Sequence, residues 1–227
     1  VALNTTGSSG NATVVDASGL NLAASTVGGN LVATATTGNM EDAGVLTIAG
    51  TSSFTTSANN ATITLNNANA FAGAVTITTN DDSGTDADVT IDNGTTALIL
   101  AASTIDGDLT LTSGHASGIT DSGIVTVGGN LVATTNDNSG VINLGTLAVD
   151  GTVALTTNGS GNATVVNDAG LNLAASTVRG NLAATATTGN ITDSGNLAVT
   201  GTSSLTTSAN NATITLNNTN AFAGAVT

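Results

Sequence analysis

Gly19–Thr76 reads GLNLAASTVGGNLVATATTGNMEDAGVLTIAGTSSFTTSANNATITLNNANAFAGAVT, and the same line returns with few changes at Gly170–Thr227, displaced by 151 residues. Near-identity over that length marks a recent duplication, so the chain is a repeat array before it is anything else. Inside the long unit lies a shorter motif: an apolar residue, any residue, then glycine. Its glycines are Gly29, Gly50, Gly73, Gly107, Gly129, Gly151, Gly180, Gly201 and Gly224, two residues after Val27, Ile48, Phe71, Ile105, Val127, Val149, Val178, Val199 and Phe222. Successive spacings are 21, 23, 34, 22, 22, 29, 21 and 23 residues. Most sit near 22 and every third is longer, which predicts groups of three turns whose long member carries an insertion.

Four and six residues after the apolar anchors come pairs such as Leu31/Ala33, Ser52/Phe54, Val75/Ile77, Leu109/Leu111 and Leu182/Ala184, separated by polar or small residues. This period of two opens a strand with one face inward. A second apolar cluster follows, as in Ile63/Leu65, and a third leads into the next anchor, as in Leu46/Ile48. Between them stand turn formers such as Thr37-Gly38-Asn39 and Asp121-Ser122-Gly123. With many β-branched residues and few strong helix formers, the expected fold is all-β: a right-handed parallel β-helix, or β-solenoid, with about three short strands per turn of roughly 22 residues. It runs as one continuous segment over 1–227. The pattern is in mid-repeat at Thr227, which reads as an excerpt of a longer array.

Composition supports a thin core. Hydrophobic residues make up 40% of the chain and aromatic ones 1%, so aliphatic side chains must fill the interior. Proline, which would remove a ladder donor, is absent. Lys+Arg is 1 against Asp+Glu 15, a net charge of −14. That balance argues against nucleic acid and against anionic membranes, and no apolar run is long enough to span a bilayer. Without cysteine there is neither disulfide nor thiol chemistry. Asp42, Asp121 and Asp193 occupy equivalent turn positions and recur every third turn, as expected where stacked like charges are costly.

The stretches VGGNLVATATTGN (27–39), LNLAAST (20–26 and 171–177) and ITDSGNLAVTGTSSLTTSANNATITLNN (191–218) resemble the repeat regions of very large bacterial surface proteins of the filamentous-haemagglutinin-like adhesin class. The resemblance implies a β-helix shaft at the cell surface or in the medium, with a part in attachment, aggregation or biofilm. Its implied partners are neighbouring solenoid repeats or like chains, and host or bacterial surface glycans or proteins. It carries over no functional residue.

Candidate sites are few. Asn80–Asp88, extended by Asp92, is the densest acidic run, and Asp81, Asp82, Asp86, Asp88 and Asp92 form a candidate Ca²⁺ set, since calcium takes six to eight oxygen ligands. The spacing matches neither the EF-hand nor the Gly-Gly-x-Gly-x-Asp repeat, so a solvated loop is the favoured reading and no cofactor is required. His115 and Arg179 lie in no triad or metal-ligand pattern, which leaves no catalytic residue to nominate. By their spacing the threonines shift position with each turn, which disfavours an ice-ordering face.

Overall fold

The structure, a computed structural model, describes residues 1–80 and 86–227. Among these are 28 short strands and no helix, and successive coils pair in parallel. Alternation of side chains explains each strand: in Leu31–Ala35 the residues Leu31, Ala33 and Ala35 are buried while Val32 and Thr34 face outward. The inward set forms one core running through the coils. Its largest members, Phe54 and Phe71, meet with ring centroids 5.3 Å apart at 57°.

Every coil hydrogen-bonds to the next roughly one turn later in sequence. Ala12 pairs with Leu31, Leu31 with Ser52 and Ser52 with Val75, offsets of 19, 21 and 23 residues. Ten strands lie on the path from Ala12–Asp16 to Ser203–Thr207, so the solenoid has about ten coils of about 21 residues. At about 4.8 Å per coil the rod is about 45–50 Å long, longer than nine anchors alone suggest.

The discrepancy lies in the long spacings, which are not simply turns with an insertion. The strands after Gly29, Gly50 and Gly73, among them Leu31–Ala35 and Val75–Asn80, belong to one large sheet. Those after Gly107, Gly129 and Gly151, namely Leu109–Ser113, Leu131–Thr135 and Thr152–Thr156, belong to the other. After Gly180 and Gly201 the corresponding strands return to the first sheet. Each long spacing is therefore about one and a half turns. The extra half turns are the single strands Val89–Asp92 and Ala163–Asn167. Across the second switch the offset remains 21 and then 19 residues, with Ile142 on Ala163 and Ala163 on Leu182, so nothing is inserted there. Across the first it rises to 26, with Ile63 on Val89.

The two sides of the coil tolerate this exchange because they are equally wide. One is a single strand of four to eight residues, and the other is two strands of two or three residues joined by a bend. Val75–Asn80 carries both Leu98–Leu100 and Ser103–Ile105, and Thr152–Thr156 carries both Leu171–Leu173 and Ser176–Val178. Six anchor intervals consequently span seven coils, from Leu31 to Leu182. Seven whole coils bring the 151-residue unit back to the face on which it began.

Ser52 and its later counterpart Ser203 occupy inward positions that hold Leu31 or Val75 in other coils, and their hydroxyls are buried with no hydrogen-bond partner. Ser52 precedes Phe54 where Leu31 precedes Ala33, so the small side chain offsets the large ring. An unmatched buried hydroxyl carries a desolvation cost. Ser52→Ala keeps the volume and removes the hydroxyl, so it should raise stability by about 1 kcal/mol. Thermal unfolding followed by circular dichroism should show a raised midpoint, and a lowered one contradicts the packing described.

Candidate functional site

The corners hold most of the polar side chains that have defined partners. At the anchor corner, the side-chain oxygen of one coil accepts the backbone N–H of the coil above. Asn11 Oδ1 accepts from Asn30 N at 2.8 Å and Asn30 Oδ1 from Thr51 N at 2.9 Å. Asp88, Asp108 and Asn130 continue the same device on the opposite side, accepting from Asp108 N, Asn130 N and Thr152 N. The anchor glycine directly precedes each residue that donates its backbone N–H. A Cβ on Gly50 would lie 2.2 Å from Asn30 Oδ1, and one on Gly129 would lie 2.2 Å from Asp108 Oδ1. These glycines are required by close approach rather than by a left-handed backbone, which belongs instead to Gly7, Gly94, Gly118 and Gly159.

The second recurring device is a carboxylate staple. The Asp42 carboxylate accepts Asn66 N, Asn67 N and Asn69 Nδ2 at 3.1, 3.2 and 2.7 Å. Asp193 repeats this with Asn217 N, Asn218 N and Asn220 Nδ2 at 2.9, 3.3 and 2.7 Å. Asp121 accepts Gly145 N, Thr146 N and Thr146 Oγ1 on the other sheet, because its group is turned by half a coil. Burial pushes the Asp193 carboxyl up, but the Asn220 amide and the two backbone N–H donors outweigh it, and its pKa is held below the usual carboxylate value. Buried Asn93 is a third device that sequence reading did not single out. Its Oδ1 accepts Phe71 N at 2.8 Å and its Nδ2 donates to Ala97 O at 2.9 Å, closing the turn after the extra half coil.

Of the candidate calcium ligands, Asp81 and Asp82 lie outside the described residues. Asp86 is exposed, Asp88 belongs to the corner ladder, and Asp92 Oδ1 accepts Gly94 N at 2.8 Å. Among the described residues no three His, Cys, Asp or Glu side chains are grouped to hold a metal ion. His115 is exposed, and its Nδ1 accepts Ser117 N at 3.0 Å. Arg179, the chain's only Lys or Arg, borders a shallow groove of about 440 Å³ lined also by Thr134, Thr135, Asn136, Thr156, Thr157, Asn158 and Thr177.

Threonines align more regularly than their spacing suggests. Thr34, Thr55, Thr78, Thr104 and Thr126 stack in five successive coils. The half-turn shift restores a register that anchor counting hides. The column is one residue wide in its lower coils, where its neighbours two positions back are Val32, Ser53 and Thr76.

A family described as repeats of unknown function (DUF5649) matches residues 9–78, 86–137 and 160–227. The chain belongs to this repeat family. No curated protein and no solved structure matches it. The breaks between the DUF5649 matches, at 79–85 and 138–159, fall immediately before the extra strands at Val89–Asp92 and Ala163–Asn167. The units delimited by the family are thus bounded by the places where the winding changes phase.

Two outcomes test these devices. Gly50→Ala should cost about 1–3 kcal/mol in unfolding free energy, whereas Gly145→Ala, whose added Cβ meets nothing nearer than 3.9 Å, should change it little. Equal effects would remove the close-approach argument. Because the folded pKa of Asp193 is depressed, its contribution is fully present above the ordinary aspartate pKa of about 4 and is lost as pH falls through the lowered folded value. Asp193→Asn should therefore lower the melting temperature at neutral pH, with the gap to the natural chain closing as the solution is acidified. A gap independent of pH contradicts the staple.

Proposed function

We propose that this DUF5649 chain is a rigid, chemically quiet shaft within a larger secreted or cell-surface adhesin, holding binding regions apart and away from the surface, and that it is not an enzyme. The observation that carries this reading is the parallel ladder from Ala12–Asp16 to Ser203–Thr207 over one narrow core, with corner side chains joining coil to coil. A shaft needs length, stiffness and a surface indifferent to its surroundings. Stacked threonine and asparagine meet the last need, since each tolerates its own kind above and below, while charged columns do not. The resemblance of the repeats to filamentous-haemagglutinin-like shafts supports the adhesive setting, and attachment through such a rod is multivalent by nature.

Low-angle X-ray scattering and negative-stain electron microscopy should find the purified chain as a monomeric rod about 45–50 Å long. Each added 151-residue unit should lengthen it by about 34 Å, seven coils at about 4.8 Å. Fibres that grow with concentration would replace the shaft by a self-associating extracellular filament. A length that does not scale with unit number would overturn both.

A further inference from the structure

Asparagine followed by glycine occurs twice, at Asn93-Gly94 and at Asn158-Gly159, and the fold treats the two in opposite ways. Without a Cβ, glycine leaves its backbone nitrogen open to the preceding side chain. At Asn158 both residues are exposed, and Gly159 N lies 2.5 Å from Asn158 Oδ1, which brings it against the Cγ that bears that oxygen. At Asn93 the side chain is 0% exposed, with Oδ1 held by Phe71 N and Nδ2 by the carbonyls of Phe71 and Ala97. Gly94 N is turned away and donates to Asp92 Oδ1 at 2.8 Å.

We propose that Asn158-Gly159 is a self-modifying site at which the corner amide converts to a carboxylate without an enzyme, while Asn93-Gly94 is protected by the fold. Gly159 N attacks Asn158 Cγ, the Cγ–Nδ2 bond breaks, and ammonia leaves with the proton from the Gly159 N–H, closing a five-membered succinimide. Water then opens the ring at one of its two carbonyls. Opening at the backbone carbonyl gives isoaspartate, with the chain running through the side-chain carbon, and opening at Cγ gives aspartate. Either product loses the Asn158 Nδ2 donation to Asn136 O at 2.8 Å. Either also places a new negative charge in the groove that Arg179 borders. The modified coil then differs from its neighbours in charge, in one ladder bond and, in the isoaspartate form, in backbone length.

The test is incubation of the whole folded chain in warm, mildly alkaline buffer, with peptide mass spectrometry following loss of ammonia and gain of water at each asparagine. Conversion at Asn158 should outrun that at Asn93 by about tenfold or more, and the ratio should fall towards one when both sites react in urea. Equal rates in the folded chain overturn the proposal. A ratio that persists in urea also overturns it, since the difference would then come from neighbouring sequence. Asn158→Gln should abolish the early mass gain of the intact chain, and an unchanged gain would place the reaction elsewhere.

Discussion

Every interior coil of this molecule is held by backbone hydrogen bonds to the coils above and below, repeated at about 4.8 Å. That pairing constrains everything else. A side chain must tolerate whatever stands one coil away, and a corner must admit another corner directly on top of it. Threonine in columns, asparagine oxygens beneath backbone N–H groups, and anchor glycines whose missing Cβ makes room for those oxygens are three consequences of one geometry. Thinly spread acids are a fourth. The staples Asp42, Asp121 and Asp193 recur only once in each group, each answered by donors from the next coil.

The half-turn switches show how a fixed coil accommodates a drifting sequence motif. Because a five-residue strand and a bent pair of three-residue strands occupy sides of equal width, one can be stacked on the other without breaking the ladder. Two switches add one coil to each long unit and restore the starting face after seven. A tandem array built this way presents the same features along one line of the rod, whereas a single switch would send successive units to opposite sides. The family matches are bounded by these switches, and the first and third, two switches apart, share one phase.

Much of the architecture was legible in the sequence because a solenoid writes its period into the chain. Inward residues such as Leu31, Ala33 and Ile63 follow the period of two, and the anchors give the coil length. The half turns were not legible from spacing, since an insertion and an extra half coil lengthen an interval alike. What could have separated them is the recurrence of Ala-Thr-Val-Val at 12–15 and 163–166, a strand with no anchor in the usual place before it. Asn93 was hidden for a different reason. In a chain so rich in asparagine, only the fold distinguishes Asn93, and with it Asn69 and Asn167, as those whose amides are buried and engaged. The acidic run was conspicuous as composition, yet Asp88 and Asp92 serve neighbouring backbone amides.

The first half turn, marked by the strand Val89–Asp92, bears the most direct test, because the half-turn and insertion accounts pair different residues across it. In the half-turn arrangement Thr78 lies beside Thr104 in the adjoining coil, both outward and exposed. Aligning the anchors Gly73 and Gly107 would instead set Thr78 beside Thr112, which here lies in the other sheet beside Asp92 and Thr134. The chain has no cysteine to interfere. Paired cysteines at 78 and 104 should close a disulfide under mild oxidation, because adjacent parallel coils fall within the Cα separation of about 4.4–6.8 Å that the bond needs. Cross-linking between 78 and 112, with none between 78 and 104, would contradict the account.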